Sequence, residues 1–262
     1  MLKTRLIPVL LLKNGVLVRS EGFKIHQVIG NPIHEVERFN EWNVDELLYI
    51  DISRVDEYDL RRNDSKVTAL TDALQILERV SKTCFMPLTW GGRIRSVEDM
   101  RERFARGADK ITINSAAIEN PELITEGAQL FGSQAIVISV DAKKHGPGEY
   151  EVFGNCGRTA TGISVTEWVA QAEKLGAGEI FLQSIDEDGM AEGYDCQLIR
   201  SVCKQVDIPV ICCSGVGQFE DYGKGVEAGA SAVAAANLWH FKELADLSGK
   251  RALAKAGVSV RA

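Results

Sequence analysis

This 262-residue chain has no long run of one charge and no long apolar run, and each absence removes a class of function. Its 30 Lys and Arg are outnumbered by 37 Asp and Glu, for a net charge of −7. No basic tract offsets that balance, so nucleic acid is not an expected partner. The apolar stretch near the start is short and broken by Pro8 and Lys13, and no small-residue cleavage site follows it. No segment reaches the length a membrane span requires. A cytoplasmic protein without membrane contact is the expectation. The six cysteines form no CxxC pair and no metal-ligand spacing, which predicts reduced thiols, no bound metal and no cofactor. Adjacent Cys212 and Cys213 on a strand would point to opposite faces. No GxGxxG opens a helix, which counts against a doubly wound open sheet.

What is present is an alternation of short apolar runs and longer helical segments. The runs Leu6–Leu12, Glu46–Ile52, Met86–Trp90, Lys110–Asn114, Ala135–Asp141, Glu179–Ser184, Pro209–Ser214 and Ala232–Ala236 read as strands. Most are continuously apolar, as parallel strands covered on both faces are. Helical segments are expected over Pro32–Asn43, Ser65–Thr83, Ser96–Gly107, Pro121–Phe131, Thr166–Gly176, Cys196–Gln205 and Phe219–Gly229. Eight strand-then-helix units predict one α/β domain over residues 1–262, a (βα)8 TIM barrel. Longer irregular segments follow four strands: Lys13–Asn31, Ser53–Asp64, Lys143–Val165 and Ile185–Tyr194. The Gly-rich insertion Lys143–Val165 is expected to form a hairpin or lid.

An internal repeat divides the barrel into two pseudo-symmetric half-barrels. Met86–Asp99 aligns without a gap on Ile208–Asp221, and the same register puts Gly107-Ala108 on Gly229-Ala230. Equivalent sites should therefore face each other across the barrel mouth. Two repeat-equivalent loops suit phosphate: Gly91-Gly92-Arg93 and Ser214-Gly215-Val216-Gly217, where glycines let backbone N–H groups approach an anion. Asn114-Ser115 and Ala236-Asn237 end the following strands with short polar groups.

Acids at the C-terminal ends of strands are candidates for proton transfer. They are Asp141, with Asp51, Asp186 and Asp188; for Asp51 and Asp186 the alternative is orientation of loop backbone, and for Asp188-Gly189 a plain turn. Lys13 and Lys143 either complement phosphate or are solvated rim lysines. Arg5, Glu46, Lys110 and Glu179 fall at the opposite, N-terminal ends of strands. They are either separately solvated strand ends or a closed ring of alternating charge gating the barrel interior.

Together these residues resemble the cyclase subunit of imidazole glycerol phosphate synthase (the HisF family). The matching stretches include Val44–Ile52, Gly107–Ala117, Phe131–Ala135, Val140–Lys143, Gly176–Glu179, Ser184–Gly189, Gly193–Asp195 and His240-Phe241. The resemblance implies a half-barrel duplication, a substrate carrying two phosphates, and a glutaminase (HisH-like) partner docked on the N-terminal face. Ammonia released by that partner would pass the charged gate and travel along the barrel. Arg5, Glu46, Lys110 and Glu179 match the gate, and Asp109 matches a partner-facing acid. Phosphate-binding positions carry over onto Asn114, Ser115, Asp188, Gly189, Gly215, Ala236 and Asn237. Asp141 matches one of two aspartates that carry out acid–base cyclisation.

The departures are as informative as the matches. The second catalytic aspartate falls on Leu11, which cannot exchange a proton. A catalytic-loop lysine falls on Arg19, far less able to release its proton. A phosphate-loop glycine falls on Arg93, and the second loop is one residue short and carries Val216. A narrower resemblance rests on Ile7–Lys13, Phe23-Lys24 and Gly30-Asn31-Pro32. It points to paralogs of bacterial surface-polysaccharide (O-antigen) pathways, which work beside a glutaminase and a separate sugar amidotransferase to convert an acetamido to an acetamidino group on a nucleotide-linked sugar. The resemblance thus implies an ammonia-dependent lyase or amidotransferase-type synthase subunit. An authentic cyclase of histidine biosynthesis and a non-catalytic activator of the glutaminase are the alternatives.

Overall fold

The computed structural model describes residues 3–54, 58–59 and 69–261. In chain order its strands are β1 (Arg5–Lys13), β2 (Val16–Glu21), β3 (Ile25–Gly30), β4 (Leu47–Asp51), β5 (Leu88–Gly91), β6 (Lys110–Ile113), β7 (Ile136–Gly146), β8 (Glu149–Gly154), β9 (Thr159–Ser164), β10 (Glu179–Ser184), β11 (Val210–Cys213) and β12 (Ala232–Ala235). The helices are α1 (Pro32–Glu41), α2 (Ala73–Thr83), α3 (Val97–Ala105), α4 (Ser115–Glu119), α5 (Glu122–Phe131), α6 (Val165–Lys174), α7 (Cys196–Cys203), α8 (Asp221–Glu227), α9 (Asn237–Phe241) and α10 (Ala245–Lys255). Eight parallel strands run in the order β10-β11-β12-β1-β4-β5-β6-β7, and β7 pairs with β10 to close the barrel. The expected TIM barrel is the fold found.

Strand alternation builds two separate cores. Leu6, Leu10 and Leu12 of β1 join the core between sheet and helices, with Phe39 and Trp239. Ile7, Val9 and Leu11 of the same strand join the core inside the barrel, with Leu48, Val137, Phe181 and Ile211. Cys212 belongs to the outer core and Cys213 to the inner one, the division expected of neighbours on a strand. All six cysteines are free thiols.

The repeat is visible in backbone chemistry. Asp99 accepts from the N–H groups of Arg95 and Ser96, and Asp221 accepts from those of Gly217 and Gln218. These are the same offsets in the two halves. Each half also extends its first strand into an antiparallel hairpin: β2–β3 from β1, and β8–β9 from β7.

Two expectations need correction. Lys13–Asn31 is not irregular, because Asn14 and Gly15 (φ 51° and 77°) form a tight turn that sends β2 back along β1. Positive φ at both central residues is the geometry such two-residue turns require. The helix expected over Ser65–Thr83 begins at Ala73. Residues 69–72 are non-helical: the Leu70 N–H donates to Gly15 O, and the Asp72 side chain caps Leu74 N–H. Residues 65–68, like 55–57 and 60–64 of the segment Ser53–Asp64, lie outside the described residues. The insertion Lys143–Val165 consists of the end of β7, which pairs with β8, and the hairpin β8–β9 with its turns, running into α6. Helices α4, α9 and α10 were not anticipated; α10 is fastened to the N-terminal end of the barrel by a Lys250–Asp45 ion pair of 3.3 Å.

Candidate active site

The C-terminal ends of the strands open into a cavity of about 620 Å³. Successive inward positions on each strand climb from the N-terminal end of the barrel to this cavity. On β10 these are Glu179, then fully buried Phe181, then Gln183; on β7 they are Val137, Ser139 and Asp141.

Asp141 lies in the cavity wall, 5% exposed. Burial pushes its carboxyl up to about 7; hydrogen bonds from Gln183 and Ser139 pull it down, and nearby Asp188 pushes it further up. Gln183 Nε2 donates to Asp141 Oδ1 at 3.0 Å, and Ser139 Oγ reaches the same oxygen at 3.5 Å. A carboxyl group balanced near neutrality can both take and give a proton.

The equivalent pair in the other half is apolar. Asp141 is in register with Gln183 across β7 and β10, and Leu11 is in register with Ile50 across β1 and β4. Leu11, Ile50 and Val9 all line the cavity. At these two equivalent pairs, one half thus offers an acid and an amide, and the other the hydrocarbon of Leu11 and Ile50.

The two phosphate-type loops share backbone geometry. Gly92 and Arg93 have φ of 94° and 56°; their repeat equivalents Ser214 and Gly215 have 79° and 89°. A Cβ on Gly92 would collide with Asp51 O, and one on Gly215 with Gly193 O, so Gly92 lets its loop back onto the end of β4 and Gly215 lets its loop back onto the loop after β10. Arg93 and Ser214 hold left-handed conformations that cost an L-residue about 1–3 kcal/mol. Arg93 Nε lies 3.3 Å from Asp51 Oδ2, and its guanidinium packs 4.9 Å from the Tyr58 ring centroid. Tyr58 Oη donates to Asp51 at 2.9 Å, and burial and that carboxylate push its phenol up. The Arg93 side chain thus lies at the cavity wall against Asp51 and Tyr58.

Several expected residues have assignable partners. Lys13 lines the cavity, its ammonium 3.0 Å from His26 Nδ1; burial, Lys13 and Arg54 depress the His26 imidazole to about 4, so a neutral ring accepts this bond. Asn114 Nδ2 donates to Ser139 O and Phe153 O, and Ser115 Oγ accepts from Asn155 N–H. Asp188 accepts from Ser20 Oγ (2.6 Å) and Phe23 N–H (3.0 Å), and Asn237 Nδ2 donates to Ser20 O (2.8 Å). Asp188 and Asn237 thus pin the β2–β3 hairpin onto the second half-site. Gly189, Ala236, Ser214 and Gly215 line the cavity beside them.

Arg19 and Asp186 do not line it. Arg19 sits on β2 and its Nε donates to Gln27 across the hairpin (2.6 Å). Asp186 accepts from Lys144 N–H (2.8 Å), the loop-orienting role that was its alternative.

At the barrel's other end the four charges close into a ring. Arg5 lies 2.7 Å from Glu46 and 3.1 Å from Glu179; Lys110 lies 3.2 Å from Glu46 and 3.1 Å from Glu179. Thr89 Oγ1 also donates to Glu46 (2.7 Å). Burial pulls the Arg5 guanidinium down, but the two carboxylates outweigh it and raise it. Asp109, exposed beside Lys110, accepts from Leu88 N–H (2.8 Å) and thereby ties β6 to β5.

Comparison with known proteins agrees with this architecture. Residues 5–245 match the family described as histidine biosynthesis protein. The chain is 38% identical over 261 residues to the imidazole glycerol phosphate synthase subunit HisF of Gluconacetobacter diazotrophicus, covering 100% of this chain and 97% of that protein. The chain belongs to the histidine biosynthesis protein family.

For a barrel of this family, the sequence reading missed several cavity residues. Gln183 sits at the end of a run read as a strand, and only its register with Asp141 gives it meaning. Arg158 and Cys156 come from the turn between β8 and β9, and Arg54 and Arg95 from the loops after β4 and β5. Their signal was charge clustering just after strands, where barrel loops carry chemistry. Among the described residues no helix is long and apolar enough to cross a membrane.

Proposed function

We propose that this chain is the ammonia-using barrel of a glutamine-dependent synthase, and that its acceptor is the acetamido group of a nucleotide-linked sugar, converted to acetamidino. A glutaminase docked on the N-terminal face supplies ammonia through the Arg5–Glu46–Lys110–Glu179 ring, and a separate sugar amidotransferase shares the chemistry at the mouth. The observation that carries this reading is the one-sided floor. Asp141–Gln183 faces Leu11–Ile50, while the ring at the opposite end is complete. A cyclisation that needs a proton carrier in each half has lost one, and such a loss costs about a hundredfold or more in rate. Delivery of ammonia needs only the ring, the apolar interior and one acid.

The test is isotopic. Glutamine labelled with 15N in its amide should label the UDP-sugar product only when this chain, its glutaminase and the amidotransferase are all present. Label arriving without this chain would refute the proposal.

A second reading is favoured by the relative whose printed name is imidazole glycerol phosphate synthase subunit HisF. In that reading the chain makes imidazole glycerol phosphate and AICAR in histidine biosynthesis. Robust growth of a histidine auxotroph lacking its own cyclase, rescued by this chain, would establish it over the first.

A further inference from the structure

The two halves of the barrel treat a pair of equivalent lysines differently. Leu11 and Asp141 hold the same place in β1 and β7, so Lys13 and Lys143, each two residues further on, are equivalent as well. Lys143 packs its ammonium 5.3 Å from the Phe153 ring centroid. Lys13, on the same face of β1 as Leu11, lines the cavity. There His26 of β3 meets it, with Nδ1 3.0 Å from Lys13 Nζ, and Arg54, in the loop after β4, lines the same cavity. His26 senses the charge of this corner. Burial depresses its imidazole most, and the two charges that add to the depression, Lys13 and Arg54, are both cations. Asp51, at the end of β4, already accepts from Ser53 N–H and Tyr58 Oη and lies 3.3 Å from Arg93 Nε. Val9, Leu11 and Ile50 line the cavity beside these groups and bring no charge. Strand β1 stands opposite β7 in the closed barrel. The acid of one half therefore faces a corner with two cations in the other.

These groups select a ligand by chemistry. Two cations on a partly buried corner repel each other, and an anion between them turns that repulsion into attraction. Lys and Arg carry donors and no acceptor, so the ligand must be rich in acceptors. The planar guanidinium fork matches the oxygens of a phosphate group, and neutral His26 becomes a further cation when it takes a proton from solvent. A single negative charge would leave the corner positive; two would balance Lys13 and Arg54. We propose that Lys13, His26 and Arg54 form a binding site for a doubly charged, phosphate-type oxyanion. The site is built from β1, the β2–β3 hairpin and the loop after β4, and is distinct from the two glycine loops, which follow β5 and β11. The inference rests on the nucleotide-linked sugar reading above only for the identity of its ligand. In that reading the oxyanion is the diphosphate that joins nucleoside to sugar.

The experiment needs neither acceptor nor partner. In protein carrying 15N-labelled histidine, the His26 ring signals are assigned with His26→Gln and titrated against pH. Asp51, Asp141, Asp188, Cys156 and Arg158 face the same cavity, and Glu21 and Lys24 belong to the same hairpin. Titrations are therefore run at constant ionic strength and repeated in Asp141→Asn, which removes a carboxyl that titrates at about 7. In sodium chloride the His26 midpoint stands at about 4. Inorganic pyrophosphate and UDP should each raise it by about one pH unit or more, as an opposite charge within a few ångströms does; uridine, which has no phosphate, should leave it in place. Arg54→Met and, independently, Lys13→Met should each weaken the affinity for both anions by about tenfold, the worth of one charge-assisted hydrogen bond. Arg54 is exposed, so Arg54→Met should keep the parent's circular dichroism; if Lys13→Met does not fold, Arg54→Met decides. A midpoint indifferent to both anions overturns the site, and so does a full response in Arg54→Met, which would place the anion elsewhere in the cavity. A response to pyrophosphate with none to UDP keeps the oxyanion site and removes the nucleotide-linked ligand, so failure of the sugar reading and failure of this site are separately visible.

Discussion

Asp141 is a carboxyl group whose burial has a measurable thermodynamic signature. In the unfolded chain it titrates near 3.8, and in the folded protein burial lifts it to about 7. Between those values the folded state binds more protons than the unfolded one, so this residue makes stability fall as pH rises from about 4 to 7 and level off above. Asp141→Asn keeps the shape and removes the titration. The variant should match the parent near pH 4 and exceed it by up to about 4 kcal/mol at pH 8, three pH units at 1.36 kcal/mol each, as measured by urea unfolding across that range. A gap that does not widen with pH would mean the carboxyl is not lifted. The mirror experiment is Leu11→Asp. Its in-register neighbour Ile50 has no donor to offer, so the new acid should destabilise the protein, least at acidic pH and increasingly as it ionises. Adding Ile50→Gln copies the Asp141–Gln183 pair and should recover part of the loss in the same measurement. Asp141 was legible in sequence because an acid closing a six-residue apolar run stands out. Gln183 was not, because an amide at a strand end matches no motif until strand register places it beside an acid.

At the scale of elements, the β2–β3 hairpin is the feature sequence reading mistook for irregular chain. Polar residues on both of its faces (Arg19 and Ser20 on β2, His26 and Gln27 on β3) obscured the alternation, although Asn14-Gly15 between Leu12 and Val16 carried the hairpin signal. The base of the hairpin is buried through Val16, Leu17 and Val18, and its far end is tied down by polar contacts that include Ser20 Oγ and Phe23 N–H to Asp188, Gly22 N–H to Asp188 O, and Asn237 Nδ2 to Ser20 O. Asp188 therefore serves as a hairpin anchor, a use that sequence position alone could not separate from phosphate binding or a turn. Asp188→Ala should cost about 1–3 kcal/mol by leaving Ser20 Oγ and Phe23 N–H unpaired. Amide hydrogen exchange should quicken across residues 16–30 and stay slow in β4 through β7. Uniform acceleration over the barrel would show that the hairpin is not a separate unit. The eight barrel strands, by contrast, were readable because two-sided burial makes each a continuous apolar run. Helix α10 was missed because its pattern is weakly amphipathic and its anchor, Lys250 on Asp45, joins residues 205 positions apart.

At the scale of the whole molecule, the barrel ends in chemically opposite faces. The floor of the mouth pairs Asp141 with Gln183 on one side and Leu11 with Ile50 on the other; the base has four charges in a closed circuit, contributed from both halves. Sequence reading left two possibilities for those charges, because each residue alone is an ordinary strand end. The structure makes them neighbours, and their energetics can now be separated from four independent solvated ends. Side-chain exposures of 2% for Glu46, 11% for Glu179, 12% for Arg5 and 18% for Lys110 mean that little solvent can compensate a missing partner. Lys110→Met alone leaves two carboxylates facing one arginine, and Glu179→Met alone leaves two cations on one carboxylate. Either should cost about 3–5 kcal/mol, as loss of one partner from a buried ion pair does. Lys110→Met and Glu179→Met together leave the Arg5–Glu46 pair neutral and intact. The double variant should therefore be more stable than the sum of the single losses requires, by at least about 1 kcal/mol. Because the ring is shielded, that coupling should persist when salt is raised well above physiological strength. Urea unfolding of the four proteins at low and high salt reads both quantities. Additive losses that shrink with salt would return these residues to the status of separate surface charges and remove the ring on which the proposed ammonia passage rests.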